Sequence, residues 1–309
     1  MSSTFDQWIF DHENYKSALD VLVAEIELAL DGGTPFILPL LGDSRAGKTA
    51  LLADVRERFA DRVSESGHVR VMCVPMPSVA SNQALATRII RSILGNIPVK
   101  GKPHEILERA RKTMEGAGVR VLMLDEMNHQ VEKRSTERAQ TKENRHSADW
   151  LKELGDLSRI SVVVAGLMHV SRIYADNDQL ENRGLVPARI EPYAWNVSAD
   201  RVQYENTLHA AIAHLKDNRW TIEISAELVS RIAYLGGGGY IGKAVDFLAR
   251  IEECGHSTKR MDLAAVSKAY ASKYAAPNGV SFNLESLDDT LLNAAHQSAV
   301  RRALHSGRA

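Results

Sequence analysis

Apolar positions recur at helical spacing over residues 16–30 and stop at Asp31, Gly32 and Gly33, so the pattern predicts an early amphipathic helix ended by a glycine break. Short apolar runs then appear at 36–41, 69–74, 119–124 and 160–165, with a weaker one at 188–191. Between them lie stretches of helical period such as 50–59 and 82–94. Strands that are apolar throughout and alternate with helices predict a mostly parallel five-stranded sheet covered on both faces. After Trp195 the strand signal gives way to helical segments at 200–215, 225–235, 241–253 and 262–274, separated by Asn218, the run Gly236 to Gly239, and a break around Gly255. The expected organisation is an N-terminal helical segment (1–33), an α/β domain (34–196), a small all-helical lid domain (197–275) and a C-terminal tail with one last helix (276–309).

Composition narrows the function more by exclusion than by signal. A formal net charge of -1 over 309 residues gives no global cationic field, so any nucleic-acid contact must come from a local patch. No apolar run approaches the roughly 18 residues that span a bilayer, and the N-terminus has no basic segment followed by an apolar stretch, which points to a cytoplasmic protein with no membrane partner. The two cysteines, Cys73 and Cys254, stand far apart and read as reduced, partly buried thiols rather than a disulfide or a metal site.

The chemistry is concentrated in two places. Gly42, Asp43, Ser44, Arg45, Ala46, Gly47, Lys48 and Thr49 match G-x-x-x-x-G-K-[ST], and they join the apolar strand 36–41 to a helix. In that setting the backbone N–H groups and the helix N-terminus face phosphate oxygens, Lys48 reaches the β- and γ-phosphates, and the Thr49 hydroxyl binds Mg2+. A second strand ends in Asp125 and Glu126. Asp125 is placed to hold the metal and Glu126 to polarise water, the two things that hydrolysis of ATP requires.

These residues resemble the P-loop AAA+ ATPases, and the resemblance extends expectations to three further positions. Arg183 lies just before the fifth strand, where such proteins present an arginine finger to a neighbouring subunit. Lys243 follows Tyr240, Ile241 and Gly242 at a helix start that often carries a sensor arginine, so it is the basic candidate near the nucleotide. The end of the fourth strand usually holds Asn, Ser or Thr, yet Gly166 and Leu167 occupy it here, with His169 as a polar substitute.

Longer segments resemble the TniB/TnsC group of AAA+ transposition regulators over about residues 35–250. They are the P-loop, Val74 to Pro77, Leu124 to His129, Asp149 to Leu154, Ile160 to Gly166, the run Asp178 to Arg183, and Tyr240 to Gly242. The resemblance implies an ATP-dependent regulator that assembles as a ring or filament on double-stranded DNA and links a TniQ-like target-selection protein to the transposase. Two other readings share these residues: a helicase loader or replication initiator, and a nucleotide-gated signalling adaptor that does not touch DNA. For DNA, the basic residues singled out by charge are Lys100, Lys102, Lys133 and Arg134, with Arg138, Lys142 and Arg145 in the same mixed-charge stretch. A modest patch repeated along an assembly sums over the phosphate backbone.

Overall fold

The computed structural model describes residues 4–5, 12–77, 81–128, 137–171, 184–274, 282–283 and 286–305, with backbone alone over 137–147 and at 305. The described chain divides into two compact units: Tyr15–Ser44 with Lys48–Ile190, and Glu191–Leu304 with the N-terminal residues up to Asn14 and the short piece Arg45–Gly47.

The α/β unit runs α1 (Glu13–Leu30), β1 (Ile37–Gly42), α2 (Lys48–Arg58), β2 (Val71–Pro75), α3 (Asn82–Leu94), α4 (Pro103–Ala117), β3 (Val121–Asp125), α5 (Glu137–Ser158), β4 (Ser161–Gly166) and β5 (Ala188–Ile190). The five strands form one sheet in the order β2-β3-β4-β1-β5, and every pairing is parallel. All positions of β1, β3 and β4 are buried. A strand buried at successive residues has both faces covered, which explains why these segments read as continuous apolar runs rather than alternating ones. The apolar runs 69–74, 119–124 and 160–165 begin before the ladder does, because Val69, Val119 and Ile160 precede the first paired residues Val71, Val121 and Ser161. Cys73 on β2 is half-buried, and burial, with Asp125 nearby, pushes its thiol up to about 11. That thiol stays protonated and inert near neutral pH.

Two helices escaped the apolar pattern. α4 buries only Ile106, Ala110, Met114 and Ala117, a stripe one residue wide along an otherwise charged helix. Its start is set locally instead: Pro103 follows Lys102, whose backbone N–H donates to Glu105 Oε2 at 2.9 Å, and Gly118 ends it with φ 75. α5 begins in the mixed-charge stretch that the sequence leaves unassigned.

The second unit holds α6 (Ser198–Asp217), β6 (Thr221–Ile222), α7 (Ala226–Gly237), α8 (Ile241–Gly255), β7 (Arg260–Met261), α9 (Leu263–Tyr274) and α10 (Asp289–His305). β6 and β7 form a separate two-stranded parallel pair, too short to leave a period in the sequence. The core of this unit is aromatic: Trp195 lies 4.7 Å from Tyr234, and Tyr234 lies 5.1 Å from Tyr204, both edge-on. Among the described residues no helix is long and apolar enough to cross a membrane.

Candidate functional site

In a parallel sheet all strands point one way, so the loops that follow β1, β3 and β4 emerge at one edge. The strand order places β4 between β1 and β3, and the segments after these three neighbours are Gly42–Thr49, Asp125–Glu126 and Gly166–His169. Residues far apart in sequence thereby converge. The Thr49 hydroxyl, on the first turn of α2, donates to Asp125 Oδ2 at 2.8 Å, and the backbone N–H of Glu126 donates to Asp125 Oδ1 at 2.8 Å. Asp125 is only 6% exposed, so both its oxygens are held in place while Glu126, the next residue, is exposed.

Glu126 adopts φ 58, in the left-handed region. A residue other than Gly pays about 1 kcal/mol or more for that conformation. The turn separates the two acids: one carboxylate stays on the buried strand end and the next faces outward. The loop that follows is anchored on β4, since the Met127 N–H donates to the Ala165 carbonyl at 3.0 Å.

Lys48 Nζ donates to the carbonyls of Gly42 at 2.9 Å and Asp43 at 2.8 Å. Burial lowers its pKa, while Asp125, Asp43 and Glu126 act in the opposite direction. A cation held in a partly desolvated loop mouth, at the N-terminus of a helix with no acid in its first turn, is set up to exchange carbonyl partners for phosphate oxygens. The hydroxyl of Thr49 and the carboxylate of Asp125 are hard oxygen donors of the kind Mg2+ takes. Among the described residues no group of three or more His, Cys, Asp or Glu side chains gathers to cage a metal. The hydroxyl and carboxylate of Thr49 and Asp125, in contact at 2.8 Å, fit a cation that completes its shell with phosphate oxygens and water, as Mg2+ does at nucleotide sites.

The remaining loop residues differ in setting. Asp43 is half-buried, Ser44 exposed and Ala46 buried. Arg45, at φ 63, and Gly47, at φ 101, make the sharp turn. Within the helical unit Arg45 Nε lies 3.2 Å from Asp246 Oδ2. The Arg45 carbonyl packs so closely on Gly242 that any side chain at 242 would collide with it, which accounts for the glycine between Ile241 and Lys243. Lys243 sits on the first turn of α8 with its ammonium 4.4 Å from the centre of the Tyr240 ring.

The apolar end of β4 has a packing cause. A Cβ on Gly166 would stand 2.5 Å from Val170 Cγ2 and 3.3 Å from the backbone N of Asn128, so the 3-10 turn Met168–Ser171 leaves no room for a polar side chain. His169, on that turn, is buried. Gly166→Asn is expected to destabilise the protein by about 1–3 kcal/mol through overpacking. Val170→Ala in the same chain should return part of that loss, as read from urea midpoints. Equal stability of wild type and Gly166→Asn would show that the turn yields freely.

Arg183, His129, Lys133 and Arg134 lie outside the described residues, as do the side chains of Arg138, Lys142 and Arg145. Lys100 and Lys102 are exposed in the connection between α3 and α4. A basic groove that charge counting alone did not single out lies along α3. It encloses about 510 Å³, its lining includes Arg88, Arg91, Ser81 and Thr87, and among the described residues that line it none is acidic. Arg88 Nη1 donates to the Pro75 carbonyl at 2.8 Å, and Arg91 Nε to the Ile97 carbonyl at 3.3 Å, so both guanidinium groups are braced. The missed signal is helical: 81, 84, 87, 88 and 91 fall on one face at i, i+3, i+4 spacing.

The family model described as Bacterial TniB protein matches residues 4–193. No curated protein matches the chain. Among solved structures, the Aeropyrum pernix ORC1 protein in complex with DNA is similar with a TM-score of 0.64 and 18% identity, over 87% of this chain and 68% of that one. Cdc6p from Pyrobaculum aerophilum has a TM-score of 0.61 and 18% identity, over 90% and 72%. The Aeropyrum pernix ORC2 protein in its ADP form has a TM-score of 0.61 and 14% identity, over 98% and 88%. At these identities the likeness is one of fold, and the fold is a P-loop AAA+ core with its parallel five-stranded sheet followed by a helical region.

Proposed function

The chain belongs to the TniB family, and from that premise we propose that it is an ATP-dependent, DNA-binding regulator of DNA transposition. In this reading it assembles on duplex DNA and couples a TniQ-like target-selection protein to the transposase. The observation that carries the nucleotide part is the convergence of Lys48, Thr49 and Asp125 on one edge of the sheet, with Thr49 and Asp125 in direct hydrogen bond at 2.8 Å. Lys48 grips the β- and γ-phosphates, and Gly42 to Gly47 wrap them with backbone N–H groups. Thr49 and Asp125 hold Mg2+, which neutralises charge on the phosphates when bound. Glu126 accepts the proton of the attacking water. Arg183 is assigned the finger role toward a neighbouring subunit, and Lys243 the basic position near the nucleotide.

DNA is assigned to the groove on α3 together with Lys100 and Lys102. Guanidinium groups flanked by hydroxyls match a phosphate backbone, which accepts hydrogen bonds and offers none. Two arginines and two lysines on a chain of net charge -1 make a weak site on one subunit. Useful affinity then requires nucleotide-driven assembly, which repeats the patch along one duplex. ORC1 of Aeropyrum pernix, a protein of the same fold, is itself in complex with DNA, which is compatible with this use of the scaffold.

Duplex binding is therefore expected to need ATP or a non-hydrolysed analogue, to show little sequence preference, and to weaken at least ~100-fold between about 50 and 200 mM salt. Anisotropy of a labelled duplex with and without nucleotide at the two salt concentrations checks this. Arg88→Ala with Arg91→Ala should lower the salt slope by about one per lost phosphate contact in each subunit. Tight, salt-insensitive binding without nucleotide, or no binding in any nucleotide state, would remove the DNA assignment and leave the adaptor reading.

A further inference from the structure

At the opposite edge of the sheet, where the strands begin, three arginines stand on adjacent rungs. Arg70 precedes β2 and Arg120 precedes β3, and the two are neighbours, since the Arg120 N–H donates to the Arg70 carbonyl at 2.8 Å. The Arg120 carbonyl in turn accepts from the N–H of Ser161, the first residue of β4, at 2.8 Å. Arg159 lies two residues before that strand. With strands of five or six residues, this edge is roughly 17–20 Å from the end that carries Asp125.

The three side chains line a recess of about 450 Å³, closed on its other side by the chain from Ala29 to Gly33. Among the described residues Asp31 is the single acid in the lining, and it pairs with none of the three. On their other flank Arg70 and Arg120 border a cleft that contains Glu65 and Glu115; Glu115 is already paired with Arg111 at 3.2 Å. Like charges directly opposite on adjacent strands repel, so Arg70 beside Arg120 makes the recess receptive to an anion.

Two of the arginines are braced rather than free to swing. Arg70 Nη2 donates to the Leu30 carbonyl at 3.1 Å, and Arg159 Nη2 to the Gly32 carbonyl at 3.1 Å. Arg120 makes no side-chain hydrogen bond or ion pair among the described residues, which leaves its planar fork available to a ligand. Arg159 also sits at φ 54 directly after α5, a position where helices commonly end in Gly. The chain tolerates a strained backbone to keep an arginine there.

The geometry points to a docking site for an acidic peptide segment of a partner protein, whose carboxylates enter the recess and meet Arg120, Arg70 and Arg159. A carboxylate matches a guanidinium fork in two parallel hydrogen bonds. The lip favours peptide over DNA. The carbonyls of Gly32 and Gly33 accept from Arg159 Nη2 at 3.1 and 3.5 Å, and each keeps a second lone pair for an N–H of a peptide, whereas a phosphodiester has no donor to give it. A recess of this volume also suits a protruding side chain or a chain end better than the convex backbone of a duplex. This site is independent of the nucleotide and DNA assignments, and peptide binding to it reads neither ATP turnover nor assembly.

The test uses the full chain and a fluorescein-labelled, Glu-rich octapeptide, with a Gln-for-Glu peptide and, in the presence of a non-hydrolysed ATP analogue, a labelled duplex as comparators, in low-salt buffer. Binding of the acidic peptide is expected, with the Gln peptide at least ~10-fold weaker. Arg120→Gln should weaken the acidic peptide ~10-fold and Arg120→Glu further, while ATP affinity stays unchanged. Since the Arg120 side chain braces none of the described residues, these variants should fold as wild type does, and circular dichroism checks that they do. Three outcomes overturn the proposal: no binding of the acidic peptide, binding that Arg120→Glu leaves unaltered, or a loss of duplex binding as large as the loss of peptide binding. The last would assign the recess to nucleic acid.

Discussion

Lys48→Ala is expected to lower ATP affinity at least ~100-fold, equivalent to about 2.7 kcal/mol. Removal of the side chain deletes the one ammonium that the loop holds, between the carbonyls of Gly42 and Asp43, and leaves Asp125, Asp43 and Glu126 facing the incoming phosphates without it. Glu126→Gln should behave differently. Its side chain is exposed beyond the buried Asp125, so its replacement leaves the Thr49–Asp125 hydrogen bond and nucleotide affinity intact. Turnover should fall ~100-fold or more, the usual size of a lost general base. Titration of a fluorescent ATP analogue and a phosphate-release assay separate the two. Arg183→Ala should also lose turnover, and mixing it with Lys48→Ala subunits should restore part, because each retains the half-site the other lacks. Equal ATP affinity in wild type and Lys48→Ala would end the site assignment; mixtures that never regain activity would end the finger role of Arg183.

Trp195→Ala should cost about 3–5 kcal/mol, the range for deleting a large buried aromatic. Trp195 is 1% exposed and contacts Tyr234 edge-on at 4.7 Å. Its Nε1–H donates to Asp289 Oδ1 at 2.8 Å, and the guanidinium groups of Arg201 and Arg231 lie 5.9 and 5.5 Å from its ring centre. The substitution therefore removes a large apolar volume, an indole donor and the surface on which two cations rest. Trp195→Phe keeps most of the volume and loses the donor, so about 1–2 kcal/mol is expected from it. Urea unfolding followed by circular dichroism measures both. A loss under about 1 kcal/mol for Trp195→Ala would mean that the helical core can close over the gap.

Some of this protein is written locally and can be read from the chain alone. The P-loop needs a strand, a tight glycine turn and a helix start in succession, and Ile37 through Arg58 supply all three within one stretch, so Lys48 and Thr49 are identifiable without any partner. Asp125 and Glu126 are legible for the same reason, as acids at the end of an apolar strand. The parallel sheet is legible because strands buried on both faces are apolar at successive positions. Local capping alone marks α4, whose narrow apolar stripe gives a weak period, and two-residue strands such as Thr221–Ile222 have no period to read.

Tertiary structure decided what depends on strand order. Thr49 and Asp125 are separated by 76 residues and meet at 2.8 Å because β1 and β3 flank β4 and all three point the same way, so the segments that follow β1 and β3 leave at one edge. The departure at Gly166 looked like a missing polar group, and the cause is Val170, pressed against the place where a side chain would begin. The cluster of Arg70, Arg120 and Arg159 is invisible in sequence because hydrogen bonding from Arg120 to Arg70 and from Ser161 to Arg120 across strands, not proximity along the chain, brings their segments to one recess. A sequence records which residues can form a strand, a turn or a phosphate loop, since those depend on a few successive side chains. Which ends come together depends on how the whole sheet is wound.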